Sequence, residues 1–172
     1  MASADLTGAD LDQLRRLFDA AWAEEGFEET DWAHTFGGDH AVWKEGGRIL
    51  AHASVVPREL RAGGARLRTG YVEAVATWPA AQGRGLGTAV MRAANDLVRA
   101  DFELGALATE HLGFYARLGW ETWRGPLSVR TADGEVRTPE EDGYVMVLWT
   151  PTSPTLSTDL PLSCDPRPGD VW

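Results

Sequence analysis

The stretch Gly70-Tyr71-Val72-Glu73-Ala74-Val75-Ala76-Thr77 is followed by Gln82-Gly83-Arg84-Gly85-Leu86-Gly87, and then by a run from Thr88 to Ala100. The first segment is apolar apart from Glu73 and reads as a buried strand. In the last, Val90, Met91, Ala94, Leu97 and Val98 recur at helical spacing, so it reads as an amphipathic helix. A glycine-rich turn between a strand and a helix start gathers backbone N–H groups at one place. The helix dipole adds partial positive charge there, so the turn is a cradle for phosphate. It lacks the spacing of a dinucleotide fingerprint and the Lys-Ser/Thr of a P-loop.

Outward from this turn the pattern stays α/β. Leu11, Leu14, Leu17, Phe18, Ala21 and Trp22 predict a first helix, with Thr7 or Asp10 as its cap and Gly26 as its stop. Asp31 to Phe36 reads as a short helix capped by Asp31 and broken by Gly37-Gly38. Ala41 to Trp43 and Ile49 to Val56 flank Gly46-Gly47, a hairpin signal, and Glu59 to Arg61 and Arg66 to Thr77 repeat it around Gly63-Gly64. Leu104 to Ala108 reads as a strand, Leu112 to Leu118 as a short helix and Tyr144 to Trp149 as a last strand. The order is helix, antiparallel meander, helix, strand, helix, strand. It predicts one α/β domain over residues 1–172 with a mixed sheet. Residues 150–172, rich in Pro, Ser and Thr, read as an irregular tail.

The net charge of −10 and pI near 4.8 argue against a nucleic-acid partner, which needs a basic face, and favour a cationic small molecule. A single cysteine, Cys164, excludes an internal disulfide and fits a cytoplasmic protein. No apolar run approaches bilayer length, and Met1 to Asp5 carries no secretory pattern. The four histidines His34, His40, His52 and His111 form no metal spacing with Cys164, and no base is spaced beside Cys164 to make it a nucleophile.

The run Gln82 to Gly87 fits Gln-x-x-Gly-x-Gly, and Leu112-Gly113-Phe114-Tyr115-Ala116-Arg117-Leu118-Gly119-Trp120 fits Phe-Tyr-x-x-x-Gly-aromatic. Together they resemble the GNAT N-acetyltransferase superfamily. The resemblance narrows at Asp31-Trp32-Ala33-His34-Thr35-Phe36-Gly37-Gly38, Gly70 to Ala76, Leu104-Gly105-Ala106-Leu107 and the final Cys164-Asp165 to Gly169-Asp170-Val171-Trp172. From about Glu25 to Trp172 the chain looks like the aminoglycoside 2′-N-acetyltransferases. That implies the GNAT fold: a mixed, mostly antiparallel sheet with a splayed central parallel pair, flanked by helices. It implies acetyl-CoA as co-substrate, no metal, an aminoglycoside as acceptor, and a homodimer. The superfamily opens with a strand, and Met1 to Leu6 is short for one. A further acidic substrate contact often precedes Asp31 in the family, where this chain has Glu25-Gly26 and Glu28.

Amine acetylation needs a group that holds an ammonium and relays its proton, donors for the carbonyl oxygen, and help for a departing thiolate. Glu73, a lone carboxylate in an apolar strand, is the candidate base; the alternative is a surface strand glutamate. Tyr115, matching the superfamily tyrosine, is the candidate for the sulfur; the alternative is a core tyrosine. The resemblance puts cofactor contacts on Val75, Ala76, Thr77, Gln82, Gly83, Arg84, Gly85, Leu86 and Gly87, with Val75 and Thr77 N–H groups on the acetyl and pantetheine oxygens. Substrate contacts fall on Asp31, Glu73, Ala74, Ala108, Glu141, Asp142 and Trp172, the last through a carboxylate at the chain's end. The structural alternatives are a helix cap for Asp31, a solvated turn for Glu140-Glu141-Asp142 and a frayed end for Trp172. Two rivals stand beside this reading: a GNAT enzyme acting on another small amine or a peptide N-terminus, and a non-catalytic acyl-CoA-binding module.

Overall fold

The computed structural model describes residues 1–24 and 26–172. Two compact units emerge, Met1–Val56 with Val72–Leu97, and Pro57–Tyr71 with Val98–Trp172. No helix among the described residues is long and apolar enough to cross a membrane.

The first unit opens with a single antiparallel bridge, Ala2 to Asp39, where a first strand is expected. Helix α1, Gly8–Ala21, follows. The Thr7 hydroxyl accepts from the Asp10 N–H at 3.2 Å, and Asp10 Oδ2 accepts from the Thr7 N–H at 3.1 Å, so both proposed caps act in one reciprocal box. Lys44 pairs with the same carboxylate at 2.6 Å and holds it near pKa 2. Helix α2, Glu29–His34, starts earlier than its sequence suggests. Asp31 is not its N-cap but its third residue, and its Oδ2 accepts from the Glu28 N–H at 2.9 Å. Strand β1, Asp39–Glu45, turns at Gly46-Gly47 into β2, Arg48–Ala62. Leu14, Leu17, Phe18, Ile49 and Ala76 form the core, packed with Trp22, Phe27, Trp32 and Trp78.

Strand β2 turns at Gly63-Gly64 into β3, Ala65–Thr77. Both strands run through the two units. Strand β1 pairs with β2 from Arg48 to Val55, and the ladder beyond begins at Arg61, so Pro57 falls between two partners, where a residue without an N–H is tolerated. Helix α3, Leu86–Asp101, leads to β4, Leu104–Ala108, which pairs in parallel with β3 from Thr69↔Leu104 to Tyr71↔Ala106. A Cβ on Gly105 would lie 2.9 Å from Val98 Cγ1 and 3.0 Å from Leu148 Cβ, so only glycine fits.

Helix α4, Leu112–Ala116, is shorter than its pattern suggests. Strands β5, Glu121–Thr122, β6, Leu127–Thr131, β7, Gly134–Arg137, β8, Val145–Trp149, and β9, Leu162–Cys164, complete the second unit. The sheet order is β5-β8-β4-β3-β2-β9-β6-β7. The expected mixed sheet is present: β3/β4 and β6/β9 are parallel, whereas β1/β2, β2/β9, β4/β8, β5/β8 and β6/β7 are antiparallel. The expectation of an irregular tail is corrected at β9, which sits between β2 and β6.

Candidate active site

In the first unit, the chain from Glu73 to Gly87 carries the predicted base and cofactor contacts. Glu73, Ala74, Val75 and Thr77 are half-buried, whereas Ala76 turns into the core. Ala74 has φ +48°, the only non-glycine residue in the left-handed region among the described residues. That conformation costs on the order of 1–3 kcal/mol and persists only where its surroundings enforce it. Two side chains of β2, His52 and Ser54, do so. His52 Nδ1 lies 2.8 Å from the Ala74 carbonyl oxygen, and Ser54 Oγ donates to the Glu73 carbonyl at 3.2 Å.

His52 Nε2 lies 2.8 Å from His40 Nδ1, and His40 Nε2 lies 2.7 Å from Ser3 Oγ. The Phe18 ring packs at 5.1 Å from His52 and the Phe36 ring at 5.5 Å from His40. Burial lowers the pKa of His40 to about 4 and that of His52 to about 3 from the ordinary 6.5. Both rings are therefore neutral in the folded protein, while the unfolded chain takes up protons below pH 6.5. The expected result is a loss of stability as pH falls from 6.5 towards 4, with a slope approaching about 1.4 kcal/mol per pH unit for each ring. Urea unfolding across that range checks it; a flat profile would mean that the rings are charged.

The turn Gln82 to Gly85 is exposed, and Gly83 and Gly85 have φ of +75° and +79°. A Cβ on either would meet nothing within 4 Å, so the glycines serve backbone conformation and open space rather than packing. The first helical bond here is Ala89 N–H to Gly85 O at 3.0 Å, which leaves the amides of Leu86 and Gly87 at the helix mouth, as an anion cradle requires. The Arg84 guanidinium is drawn onto Glu45 by two bonds of 2.7 and 2.9 Å. Asp31 lies half-buried on α2, one residue before Trp32, which carries the Arg15 guanidinium 4.1 Å over its ring. Trp78 donates to the Ile49 carbonyl at 2.9 Å and stacks under Arg48. Of the expected acidic contacts before Asp31, Glu25 lies outside the described residues.

In the second unit, Ala108 ends β4 and is exposed. Tyr115 on α4 is buried, packed edge-on against Phe114 and Trp120, and burial raises its pKa to about 12. Its phenol is protonated throughout the working range of an enzyme.

In the same unit the last residues pack against the segment that begins at Thr138. Trp172 is buried, and its indole N–H donates to Thr138 Oγ1 at 2.8 Å. Arg167 donates to the main-chain oxygens of Asp170 at 2.7 Å and Trp172 at 3.0 Å. Cys164 Sγ donates to the Val171 carbonyl at 3.4 Å, and burial pushes its thiol pKa up. Glu141 is half-buried, and burial together with the charges of Asp170 and Glu140 raises its pKa. Asp142 has internal work instead: it accepts from the Leu127 N–H at 3.0 Å and from Arg137 at 2.7 Å.

The residues that sequence reasoning missed are His40, His52, Ser54 and Arg167. A signal for the histidines was present. They flank the Gly46-Gly47 turn, and the register pairs Val42 with His52 and His40 with Ser54, which places both rings on one face.

A strand with a left-handed break, a glycine turn and a helix mouth in immediate succession are the backbone of an acyl-CoA-dependent transferase. The GNAT acetyltransferase domain family matches residues 4–123, which run through parts of both units. The GNAT-family acetyltransferase of Brucella melitensis, solved in complex with acetyl-CoA, shares the fold at a TM-score of 0.61 and 20% identity, covering 88% of each chain. A GCN5-related N-acetyltransferase of Kribbella flavida superposes at 0.59 with 23% identity over 71% of this chain, which spans 33% of that longer protein. The aminoglycoside 2′-N-acetyltransferase of Mycolicibacterium fortuitum is 42% identical over 95% of this chain and 88% of its own length. The chain belongs to the aminoglycoside 2′-N-acetyltransferase family of the GNAT acetyltransferases.

Proposed function

We propose that this protein transfers the acetyl group of acetyl-CoA to the 2′-amine of an aminoglycoside. The observation that carries the reading is the 42% identity to a 2′-N-acetyltransferase across 95% of the chain. Bound acetyl-CoA supplies an activated acetyl group. Glu73 holds the substrate ammonium and relays its proton to solvent. The N–H groups of Val75 and Thr77, on either side of Ala76, receive the acetyl and pantetheine oxygens. The amides from Gln82 to Gly87 hold the pyrophosphate, and Tyr115 hydrogen-bonds the departing sulfur.

A polycationic sugar calls for several anions; the residues proposed for it are Asp31, Glu73 and Ala74 of the first unit and Ala108, Glu141, Asp142 and Trp172 of the second. Glu141 ranks ahead of Asp142, whose carboxylate already has two partners. A raised Glu141 pKa fits a group that meets its cation only when substrate arrives. A cytoplasmic homodimer, acting on no nucleic acid, completes the reading.

The deciding experiment is acetyl transfer to aminoglycosides with and without a 2′-amine. Turnover is expected only with the first set. Turnover on a simple monoamine and none on either set would establish the rival small-amine enzyme, and tight acetyl-CoA binding without turnover would establish the binding module.

The cofactor cradle makes its own prediction. In Gly85→Val, a β-branched residue is forced to φ +79°, where L residues lose roughly 1–2 kcal/mol and a branched one more. The open space around its Cβ belongs to the proposed cradle, so the branched side chain would also block approach of the pyrophosphate to the backbone. Acetyl-CoA affinity is expected to fall by at least about tenfold, since about 1.4 kcal/mol is a factor of ten. Unchanged affinity in calorimetry would place the phosphates elsewhere.

A further inference from the structure

We propose that His52, oriented by His40 and Ser3, is a positioning residue for acetyl transfer: its Nδ1–H holds the Ala74 carbonyl and so fixes the backbone that aims the Glu73 side chain and the Val75 N–H. The inference rests on the roles of Glu73 and Val75 argued above. The hydrogen bonds between His52 and Ser3 have one self-consistent direction with both rings neutral. The Ala74 carbonyl can only accept, so His52 carries its proton on Nδ1, 2.8 Å away. His52 Nε2 is then an acceptor and takes a bond from His40 Nδ1–H at 2.8 Å. His40 Nε2 in turn accepts from the Ser3 hydroxyl at 2.7 Å. Ser3 Oγ accepts from the Gly37 N–H at 3.1 Å, and the Gly38 carbonyl, which takes the Ser3 N–H at 2.8 Å, also lies 2.9 Å from Ser3 Oγ. With both rings neutral, the bonds made by the ring nitrogens from His40 to Ala74 have no second arrangement; only the Ser3 hydroxyl has a choice of acceptor, His40 Nε2 or the Gly38 carbonyl.

The geometry explains why such a chain is needed. A left-handed residue inside a strand interrupts the regular ladder, and the carbonyls it displaces need new partners. His52 and Ser54, two apart and so on one face of β2, meet the carbonyls of Ala74 and Glu73 in turn. Both are fully buried. The imidazole is thus a strut with a defined length and polarity at the one residue whose conformation sets the direction of Glu73 relative to Val75. The packing of Phe18 and Phe36 against the two rings keeps the strut from turning.

The test compares three substitutions. Asparagine keeps an N–H near the position of Nδ1, glutamine reaches towards Nε2, and leucine keeps bulk without either. His52→Leu is expected to lower kcat by about tenfold or more, with KM for both substrates within about threefold. His52→Asn is expected to restore most of kcat, and His52→Gln is not. A fully active H52L, or an H52N no better than H52Q, would overturn the proposal; if H52L does not fold, the H52N and H52Q comparison decides alone. Imidazole ¹⁵N NMR of the wild-type protein supplies a readout independent of turnover: both rings are expected as the Nδ1–H tautomer, and an Nε2–H tautomer at His52 overturns the proposal. Should the wild-type enzyme acetylate no aminoglycoside, the proposed function fails. The Val75 amide shift then decides the strut: moved in H52Q and kept in H52N supports it, and equal shifts in both refute it.

Discussion

Glu73→Gln is expected to lower turnover of a 2′-amine substrate by about 10²–10⁴-fold, the range for removal of a positioned proton-transfer group. The side chains of His52 and Ser54 hold the main chain at Ala74 and Glu73, so the substitution leaves the backbone where it is. The carboxamide fills the same space and hydrogen-bonds, but it neither attracts an ammonium as an anion does nor accepts its proton. The loss is expected to be larger at lower pH, where more of the amine arrives protonated. Steady-state kinetics from mildly acidic to alkaline pH check this, with acetyl-CoA affinity measured alongside to show that the cradle is intact. Turnover equal to wild type would place the base at another residue.

Tyr115→Phe is expected to reduce kcat by about 10²-fold, comparable to loss of one preorganised donor at a developing charge. Burial raises the Tyr115 pKa to about 12, which bears on the role proposed for the phenol. A thiol ionises near pKa ~8.5, so full proton transfer from this phenol to a thiolate runs uphill. In the proposed mechanism Tyr115 would therefore stabilise the departing sulfur by a hydrogen bond, with solvent completing the protonation. The alkaline limb of the pH–rate profile should then show no ionisation of Tyr115 below about pH 10. Acetyl-CoA binding is expected to stay unchanged in the variant, because the ring contacts with Phe114 and Trp120 need no hydroxyl. Full turnover in a chemistry-limited assay would remove Tyr115 from the mechanism.

Much of this was legible in the sequence where local chemistry dictates local structure. The Gly46-Gly47 and Gly63-Gly64 turns announced their hairpins because left-handed backbone at those positions demands glycine. Helices α1 and α3 followed from apolar spacing, and the glycine turn before α3 from its composition. What escaped depends on partners distant in the chain. Strand β9 is three residues long, and nothing local distinguishes it; it is a strand because β2 and β6 bracket it. The β6/β7 hairpin did carry an Asp133-Gly134 signal and an alternation at Leu127 and Val129, but its β7 is fully exposed and lacks an apolar stripe. Asp31 and Asp142 showed the same limit. Besides the substrate contacts proposed for them, each accepts a backbone N–H, a use that composition does not reveal. His52 escaped because its partner, the carbonyl of the left-handed residue Ala74, is 22 residues away in the chain.

The position of β9 has a consequence for how the protein is made. Arg58 and Asp165 are 107 residues apart, and their ion pair lies where β2 meets the segment that follows β9. Until that segment has been synthesised, the flank of β2 and the flank of β6 are bare edges, each able to pair with a neighbouring chain. A ribosome that stalls before Leu162 therefore releases not a slightly shorter enzyme but a polypeptide with two open seams. Nascent chains of this protein are expected to depend on holdase protection until late in translation, and frameshifts near Pro161 should yield aggregates rather than weakly active enzyme.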